Sequence, residues 1–383
     1  MFRLILTIFF FLLSILNFIP VPSKETWYAG ILIPEYPWIF LLLMLPLLIS
    51  SIRNKKYRIP CVSLGILTWL LFLSSIIRAY EVGSDLDQRL QTSFNVRSAE
   101  LKGFHESEPY SFWHMFSGNG SKKIPFVNYH YAIHEGVDLT LNFTPSAAPG
   151  IRPCLFVVHG GSWKRGDKSE IAAMNNYFAN VGYQVATIDY RLAPKFHSPA
   201  PQEDVHAAFL WLRSHAEELK IDTNNFVLMG RSAGAQIVLT TAYGNTEKGI
   251  KGVAAFYGPN DMFWSYEHPD NPLIMDSRMV QRDFLGGSPD QVPDRYFSES
   301  SLMHVTTKTV PTLLVHGKVD AHVHYEQSVR LSKKLDSFHV PNLLLTLPWA
   351  THGCEYNLNG PSGQLSIYSM EHFFYAVTNN KIL

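Results

Sequence analysis

This sequence has few cysteines and no excess of positive or negative charge, and both facts exclude whole classes of protein. The 383 residues contain only three cysteines, Cys61, Cys154 and Cys354. That is too few for a disulfide framework, and the three lack metal-ligand spacing. Basic and acidic residues number 32 each, so the formal net charge is zero. We therefore expect free thiols and no nucleic-acid partner, because nucleic-acid binding calls for a basic surface.

Apolar residues, by contrast, are abundant and unevenly distributed. They make up 46% of the chain, and three long runs fall near its start, at 4–20, 34–52 and 59–78. A membrane-spanning helix needs about 20 apolar residues. Residues 1–80 are therefore predicted to form a membrane anchor of about three transmembrane helices. The first run is also consistent with a cleaved signal peptide, and three buried core helices are the alternative for the whole segment.

The basic residues near these runs predict an orientation. The segment RNKKYR, residues 53–58, holds four Lys or Arg, whereas residues 20–37 hold only Lys24. Loops rich in Lys and Arg tend to stay in the cytoplasm. We therefore expect everything after Tyr80 to lie on the exported face, periplasmic, extracellular or lumenal, with the lipid bilayer as a partner.

Beyond the anchor the sequence alternates between strand-like and helix-like segments. Residues 81–123 are mixed and polar and are predicted to be a linker or partial cap. In residues 124–383, short apolar runs such as CLFVV and QVATI alternate with helix-length segments. This alternation predicts a mostly parallel sheet covered by helices on both faces. Residues 259–311 interrupt the alternation and are predicted to be an excursion or cap, whose aromatic residues could line a pocket.

Four predicted strands are followed by residues suited to chemistry. The motifs are HGGSW after 154–158, GRSAG after 226–229, HGKVD after 312–315 and PWATHG after 343–347. In an open parallel sheet, ligands bind at the carboxyl ends of the strands. The sequence therefore predicts that Ser232, Asp320 and His352 meet at one edge of the sheet.

These three residues follow the chain order of the nucleophile-elbow hydrolases, with Ser232 inside a Gly-x-Ser-x-Gly motif. A serine hydroxyl needs a base to become nucleophilic, and the base needs a carboxylate to orient it. We predict Ser232 as nucleophile, His352 as base and Asp320 as acid. The competing candidates are Asp261 for the acid and His322, His324, His339 and His372 for the base. The position of Asp320 and His352 after the last two strands favours them.

The tetrahedral intermediate of such a reaction needs preorganised hydrogen-bond donors. We predict the backbone N–H groups of Gly160, Gly161 and Ala233 in this role, because glycines allow close approach and Ala233 begins a helix. Structural support of the site is predicted for His159, Trp163, Gly230 and Gly234.

The motifs resemble those of the α/β-hydrolase superfamily and, within it, the carboxylesterases related to hormone-sensitive lipase. The matching stretches are VVHGGSWKRGD, DYRLAP, PAPQEDVHAAFLWL, LMGRSAGAQ, YGPND, LLVHGKVD and THG. The resemblance implies an eight-stranded, mostly parallel sheet flanked by helices, no cofactor, and ester hydrolysis through an acyl-enzyme by Ser232, Asp320 and His352. Ser162 departs from the usual fourth glycine. HGGSW is more similar to the branch with feruloyl and acetyl esterases, arylformamidases and isoprenylcysteine methylesterases.

Together these features predict a membrane-anchored serine carboxylesterase that acts on a small-molecule or lipid-like ester. His322 and His324 are interpreted as solvated rather than metal-binding, because no cysteine or carboxylate cluster accompanies them; no metal is expected. Two alternatives stay open. One is an amidase or peptidase-type hydrolase with the same triad, and the other is a non-catalytic membrane receptor or scaffold with a hydrolase fold.

Overall fold

A computed structural model of the chain describes residues 1–53, 56–101, 103, 105–244 and 247–379. Asn54 and Lys55, which belong to the basic segment behind the predicted orientation, lie outside the described residues. From the amino terminus, the α-helices are α1 (Phe2–Ser14), α2 (Trp27–Glu35), α3 (Pro37–Ile52), α4 (Arg58–Gly83), α5 (Leu86–Phe94), α6 (His114–Ser117), α7 (Ala172–Val181), α8 (Ala200–Ser214), α9 (Ala216–Leu219), α10 (Ala233–Tyr243), α11 (Met262–Glu267), α12 (Ser277–Leu285), α13 (Pro293–Ser298), α14 (Glu326–Ser337) and α15 (Pro361–Thr378).

A single eight-stranded sheet organises the larger part of the chain. Its strands are β1 (Val127–His134), β2 (Val137–Thr144), β3 (Arg152–Val158), β4 (Gln184–Ile188), β5 (Ile221–Arg231), β6 (Ile250–Phe256), β7 (Thr312–Gly317) and β8 (Asn342–Leu347). Their spatial order is β1-β2-β4-β3-β5-β6-β7-β8. β2 runs antiparallel to both β1 and β4, and the other neighbours are parallel. The predicted eight-stranded, mostly parallel sheet is therefore confirmed.

The central strands are buried on both faces, which explains why their sequences are continuous apolar runs. In β3, Leu155 and Val157 belong to the core that also contains α7 and α15. Phe156 and Val158 belong to the opposite core, with α8, α10 and α14. Helices covering both faces leave no exposed side on which a strand would carry polar residues. Cys154 is buried here as a free thiol.

The amino-terminal helices differ in detail from three separate spans. α1 has 13 residues, and the predicted span 34–52 divides into α2 and α3, which meet at an angle of 87°. The break lies at Tyr36, because Pro37 has no backbone N–H to donate to the preceding helical turn and disfavours helical backbone in the residue before it. Among the described helices, α4 alone has the length and composition of a span; α2 and α3 reach it only as one bent pair.

These helices share a hydrophobic core with the larger domain. Phe72, Ile76 and Ala79 of α4 pack in the same core as α15. The predicted linker 81–123 contains α5, whose Phe94 is buried with its ring centroid 4.8 Å from that of Phe373. The first 80 residues and the sheet are thus joined through packed side chains.

The predicted excursion 259–311 contains three short helices, α11 to α13, beside the carboxyl ends of the strands. Its aromatic side chains pack on one another: the ring centroid of Phe263 lies 5.5 Å from that of Tyr296, and Trp264 stacks on His268 at 4.3 Å. These aromatic residues therefore stabilise the excursion by packing against one another.

The packing of α5 predicts that the segment between the amino-terminal helices and the sheet contributes to stability. Leu90 is fully buried, so Leu90→Ala is expected to lower the free energy of unfolding by about 2–5 kcal/mol, through lost burial and the cavity left behind. Thermal unfolding of the full chain in detergent measures this. Thr92→Ala, an exposed change on the same helix, is the matched control. Equal melting temperatures for both variants would contradict the packing of α5.

Candidate active site

Ser232 lies at a sharp turn between β5 and α10. Its backbone has φ 53° and ψ −121°, a region that a residue with a side chain adopts only when the surroundings impose it. The backbone N–H of Ser232 donates to Phe256 O in the neighbouring strand at 2.9 Å. The turn therefore holds the serine above the carboxyl edge of the sheet, as in a nucleophile elbow.

Two glycines make this turn sterically feasible. A Cβ on Gly230 would overlap the carbonyl oxygen of Gly234, and a Cβ on Gly234 would overlap the carbonyl oxygens of Val158 and His159. The predicted supporting role of Gly230 and Gly234 thus has a physical basis: any side chain there would separate β5, α10 and the end of β3.

His352 and Asp320 contact each other after the last two strands. His352 Nδ1 donates to Asp320 Oδ2 at 2.8 Å, and both residues are buried. Asp320 Oδ1 accepts the backbone N–H groups of His322 and Val323 at 2.8 and 3.0 Å. Burial alone raises the pKa of the Asp320 carboxyl, but the charge of His352 and hydrogen bonds from His316 and His352 outweigh it and hold that pKa well below its usual value.

Asp261, the competing acid, has another function. Its carboxylate accepts the backbone N–H of Trp264 at 3.0 Å, which caps α11, and forms an ion pair with Arg330 at 2.6 Å. The carboxylate that contacts His352 is that of Asp320.

Among the competing histidines, His322 differs most from its predicted environment. It is buried, not solvated as predicted, because its ring stacks on His352 at 5.0 Å. Burial, reinforced by nearby His352, lowers the pKa of His322 to about 4. Its Nδ1 has no hydrogen-bond partner among the described residues. Neutral His322 therefore lies beside the His352–Asp320 pair without adding charge. His324 is about half exposed, and His372 is buried within α15, where its Nε2 lies 2.9 Å from Ser98 Oγ.

The chain after β3 passes directly over the serine. A Cβ on Gly160 would lie 3.4 Å from Ser232 Cβ. The N–H of Gly160, however, donates to Glu170 Oε2 at 3.3 Å, a contact that the sequence did not indicate and that directs this donor toward a carboxylate. Ala233 begins α10, so its N–H has no partner one turn earlier in the helix. Of the three predicted donors, Gly160 thus already has a partner within the chain.

The HGGSW segment is fixed from both sides. His159 stacks on Tyr190 with ring centroids 4.3 Å apart. Trp163 stacks on Phe284 of α12 at 4.4 Å, and its Nε1 donates to Gln236 Oε1 of α10 at 2.9 Å. Ser162 adopts φ 56°, a left-handed conformation that glycine adopts more readily.

Ser232 and His352 line one cavity of about 230 Å³ together with Gly160, Gly161, Arg231 and Tyr257. The ring of Tyr257 lies 4.2 Å from that of His352. Two further wall residues, Trp27 and Tyr28, come from α2. The sequence offered the aromatic residues of 259–311 as pocket walls, whereas the structure supplies aromatic side chains from the amino-terminal segment. No cluster of metal-binding side chains occurs among the described residues.

Comparison with known proteins relates this geometry to a family. Residues 141–335, about half of the chain, match the BD-FAE family. The chain belongs to the BD-FAE family. The probable carboxylic ester hydrolase LipM of Mycobacterium tuberculosis is 21% identical over 80% of this chain and 76% of its own length.

Two solved structures share the fold of this BD-FAE protein. The esterase of Pyrobaculum calidifontis superposes with a TM-score of 0.60 at 16% identity, over 79% of this chain and 94% of its own. Est2 of Thermogutta terrifontis, bound to propionate, gives 0.54 at 22% identity, over 65% and 93%. The predicted membership of the α/β-hydrolase carboxylesterase branch is thereby confirmed, and with it the enzyme class, a serine-type carboxylic ester hydrolase.

The acid assignment leads to a test within this BD-FAE protein. In Asp320→Asn the amide oxygen still accepts the two backbone N–H groups, but the amide nitrogen faces His352 Nδ1 and imposes the wrong tautomer. We expect kcat for p-nitrophenyl acetate to fall by about 10³–10⁴-fold. Asp261→Asn, which breaks the ion pair with Arg330, is the matched control and should lower the melting temperature while kcat is retained. The reverse pattern would make Asp261 the acid.

Asp270, in the excursion near Asp320, predicts a pH dependence of stability. Burial, followed by the negative charge of Asp320, raises the pKa of Asp270 to about 7; His324 Nε2 lies 3.4 Å from its carboxylate. The carboxyl of the unfolded chain has a pKa of about 4. Between pH 4 and pH 7, Asp270 is therefore protonated in the folded state and ionised in the unfolded state. Its contribution to the free energy of unfolding is complete below pH 4 and is lost as the pH rises through 7.

Asp270→Asn removes this titration. We expect the free energy of unfolding of the variant, relative to that of the native protein, to increase by about 1–3 kcal/mol between pH 5 and pH 8. Chemical denaturation at both pH values measures the difference. Asp276→Asn, an exposed change that preserves an α12 cap, is the control and should follow the native protein. A constant difference between Asp270→Asn and the native protein would refute the raised pKa.

Proposed function

We propose that this chain is a membrane-anchored serine carboxylesterase that hydrolyses esters through an acyl-enzyme, with Ser232, His352 and Asp320 as its triad. The observation that supports this most directly is the hydrogen bond of 2.8 Å between His352 and Asp320 in the cavity that Ser232 lines. The three groups have the chemical types that the reaction needs, and they follow the chain order of the nucleophile-elbow hydrolases.

In the acylation step, Ser232 Oγ attacks the ester carbonyl carbon while its proton passes to His352 Nε2. The imidazolium that forms is stabilised by the Asp320 carboxylate. The carbonyl oxygen becomes an oxyanion, and the backbone N–H groups of Gly161 and Ala233 donate to it. When the intermediate collapses, the alcohol oxygen leaves with the proton from His352, and the acyl group remains on Ser232.

Deacylation repeats these steps with water as the nucleophile. His352 Nε2 takes a proton from the water as its oxygen attacks the acyl carbon, and the same backbone donors stabilise the second oxyanion. Collapse returns the proton to Ser232 Oγ and releases the carboxylic acid. No cofactor enters this sequence of steps.

The proposed anchor is residues 1–80, in which α3 and α4 are the main apolar helices. α4 has the length and apolarity of a membrane span, and many large apolar side chains of α3 and α4 are exposed, including Leu42, Ile49, Ile66 and Ile77. Exposed apolar side chains on a helix of this length and apolarity support a lipid environment. With the basic segment 53–58 in the cytoplasm, α4 ends on the exported face, and the sheet domain follows there.

Replacing Ser232 tests the mechanism. We expect Ser232→Ala to lower kcat for p-nitrophenyl acetate by about 10⁴-fold or more, since the remaining residues cannot form the acyl-enzyme. Labelling by a fluorophosphonate should also disappear. Ser369→Ala, a buried change in α15, is the matched control and should retain both properties.

Two outcomes would contradict this proposal in different ways. A higher kcat/KM for the matched p-nitroanilide than for the ester would indicate an amidase with the same triad. Absence of both turnover and labelling in the native protein would indicate a non-catalytic scaffold.

A further inference from the structure

A second cavity, of about 420 Å³, adjoins the catalytic one. Its wall includes Trp27, Ile31, Leu32, Tyr36 and Tyr356. We call it the α2 cavity, because most of these residues come from α2 and the turn that follows it. Trp27, Tyr28 and Tyr356 also line the cavity that contains Ser232, so one set of side chains borders both spaces.

The two cavities differ in chemical character. The lining of the α2 cavity contains no Asp, Glu, Lys or Arg, whereas Arg165, Glu170 and Arg231 line the catalytic one. An apolar pocket beside a polar one suits a molecule with an apolar part and a polar part. The volume of the α2 cavity is also within the range of about 300–1,000 Å³ usual for small-molecule sites.

α2 is attached directly to the loop that carries the catalytic histidine. Trp27 Nε1 donates to His352 O at 2.8 Å, and the Trp27 ring lies 4.8 Å from that of His322. A Cβ on Gly353 would lie 3.3 Å from Ile31 Cδ1, which shows how closely the loop and helix pack. The position of α2 is therefore tied to the position of His352.

Both ends of α2 are also held by the sheet domain. At its carboxyl end, Glu35 accepts the backbone N–H of Ser362 at 3.0 Å, and Glu35 O accepts from Asn357 Nδ2 at 2.8 Å. Before its amino end, the Lys24 N–H donates to Leu273 O in the excursion at 3.1 Å. These contacts make α2 a fixed wall.

The outer side of α2 faces away from the protein and is apolar. Tyr28 and Leu32 are 66% and 48% exposed, and α2 meets α3 at 87°. If α3 crosses the bilayer, α2 lies along its surface at the exported interface. Aromatic and apolar side chains are typical of a helix at that depth. The α2 cavity then lies at the level of the headgroups and ester linkages of the outer leaflet.

We propose that α2 forms the acyl-binding wall of the enzyme and that the substrate is a lipid-like ester taken from the exported leaflet. This inference rests on the proposed esterase function. The acyl chain enters the α2 cavity, its carbonyl carbon reaches Ser232, and the polar alcohol part lies toward Arg165 and Glu170.

Narrowing the α2 cavity tests the inference. The probes are p-nitrophenyl acetate and p-nitrophenyl dodecanoate, given to the full chain in phosphatidylcholine vesicles. We expect Leu32→Trp to lower the ratio of kcat/KM for dodecanoate to that for acetate by about 10-fold or more, because the indole occupies space that the long chain needs. Leu42→Trp, on the exposed apolar face of α3, is the matched control and should leave the ratio as in the native protein.

A second variant tests the same wall in the opposite direction. Ile31→Ala enlarges the α2 cavity, so we expect the preferred acyl chain to become longer across a series of p-nitrophenyl esters. If Leu32→Trp and Ile31→Ala hydrolyse the esters with the native chain-length profile, the acyl wall is elsewhere and this inference is wrong while the esterase function stands. If the native protein hydrolyses neither probe, the proposed function itself fails.

Discussion

Between β5 and α10 the chain passes through a serine at φ 53° and ψ −121°, and it holds this strained conformation only because the elements on each side are fixed. β5 is paired on both edges, with β3 and β6, and α10 is buried along its whole length. The glycines at 230 and 234 let these elements approach without overlap. The same closeness brings the HGGSW segment over Ser232, so the packing that imposes the strain also forms the site.

The polar groups of the site are arranged so that each charge is supported. Asp320 is buried, yet two backbone N–H groups and His352 stabilise its charged form. Buried His322 beside it stays neutral over the physiological range, because burial lowers its pKa to about 4, so it adds no charge next to His352. On the other side of Tyr356 the environment becomes apolar. A polar reaction centre and an apolar recess thus share one wall, which is formed in part by α2.

Much of the site was predictable because its signals are local. Ser232 lies in a short motif between an apolar run and a helix, and Asp320 and His352 each follow an apolar run in the expected order. A parallel sheet brings such positions to one edge whatever the details of its packing. His322 and Glu170 were not predicted in their observed roles. Their contacts depend on side-chain directions in loops, which no periodicity encodes.

The sequence by itself determined the sheet, the elbow and the order of the triad, because these follow from hydrophobic period, glycine positions and chain order. Only the tertiary structure decided that α2 reaches the catalytic loop, since Trp27 and His352 are separated by most of the chain and meet through packing. It likewise decided that the run 34–52, predicted as one span, bends at Tyr36 by 87°. Local pattern fixes which elements form, whereas the contacts between distant elements fix which side chains share a cavity.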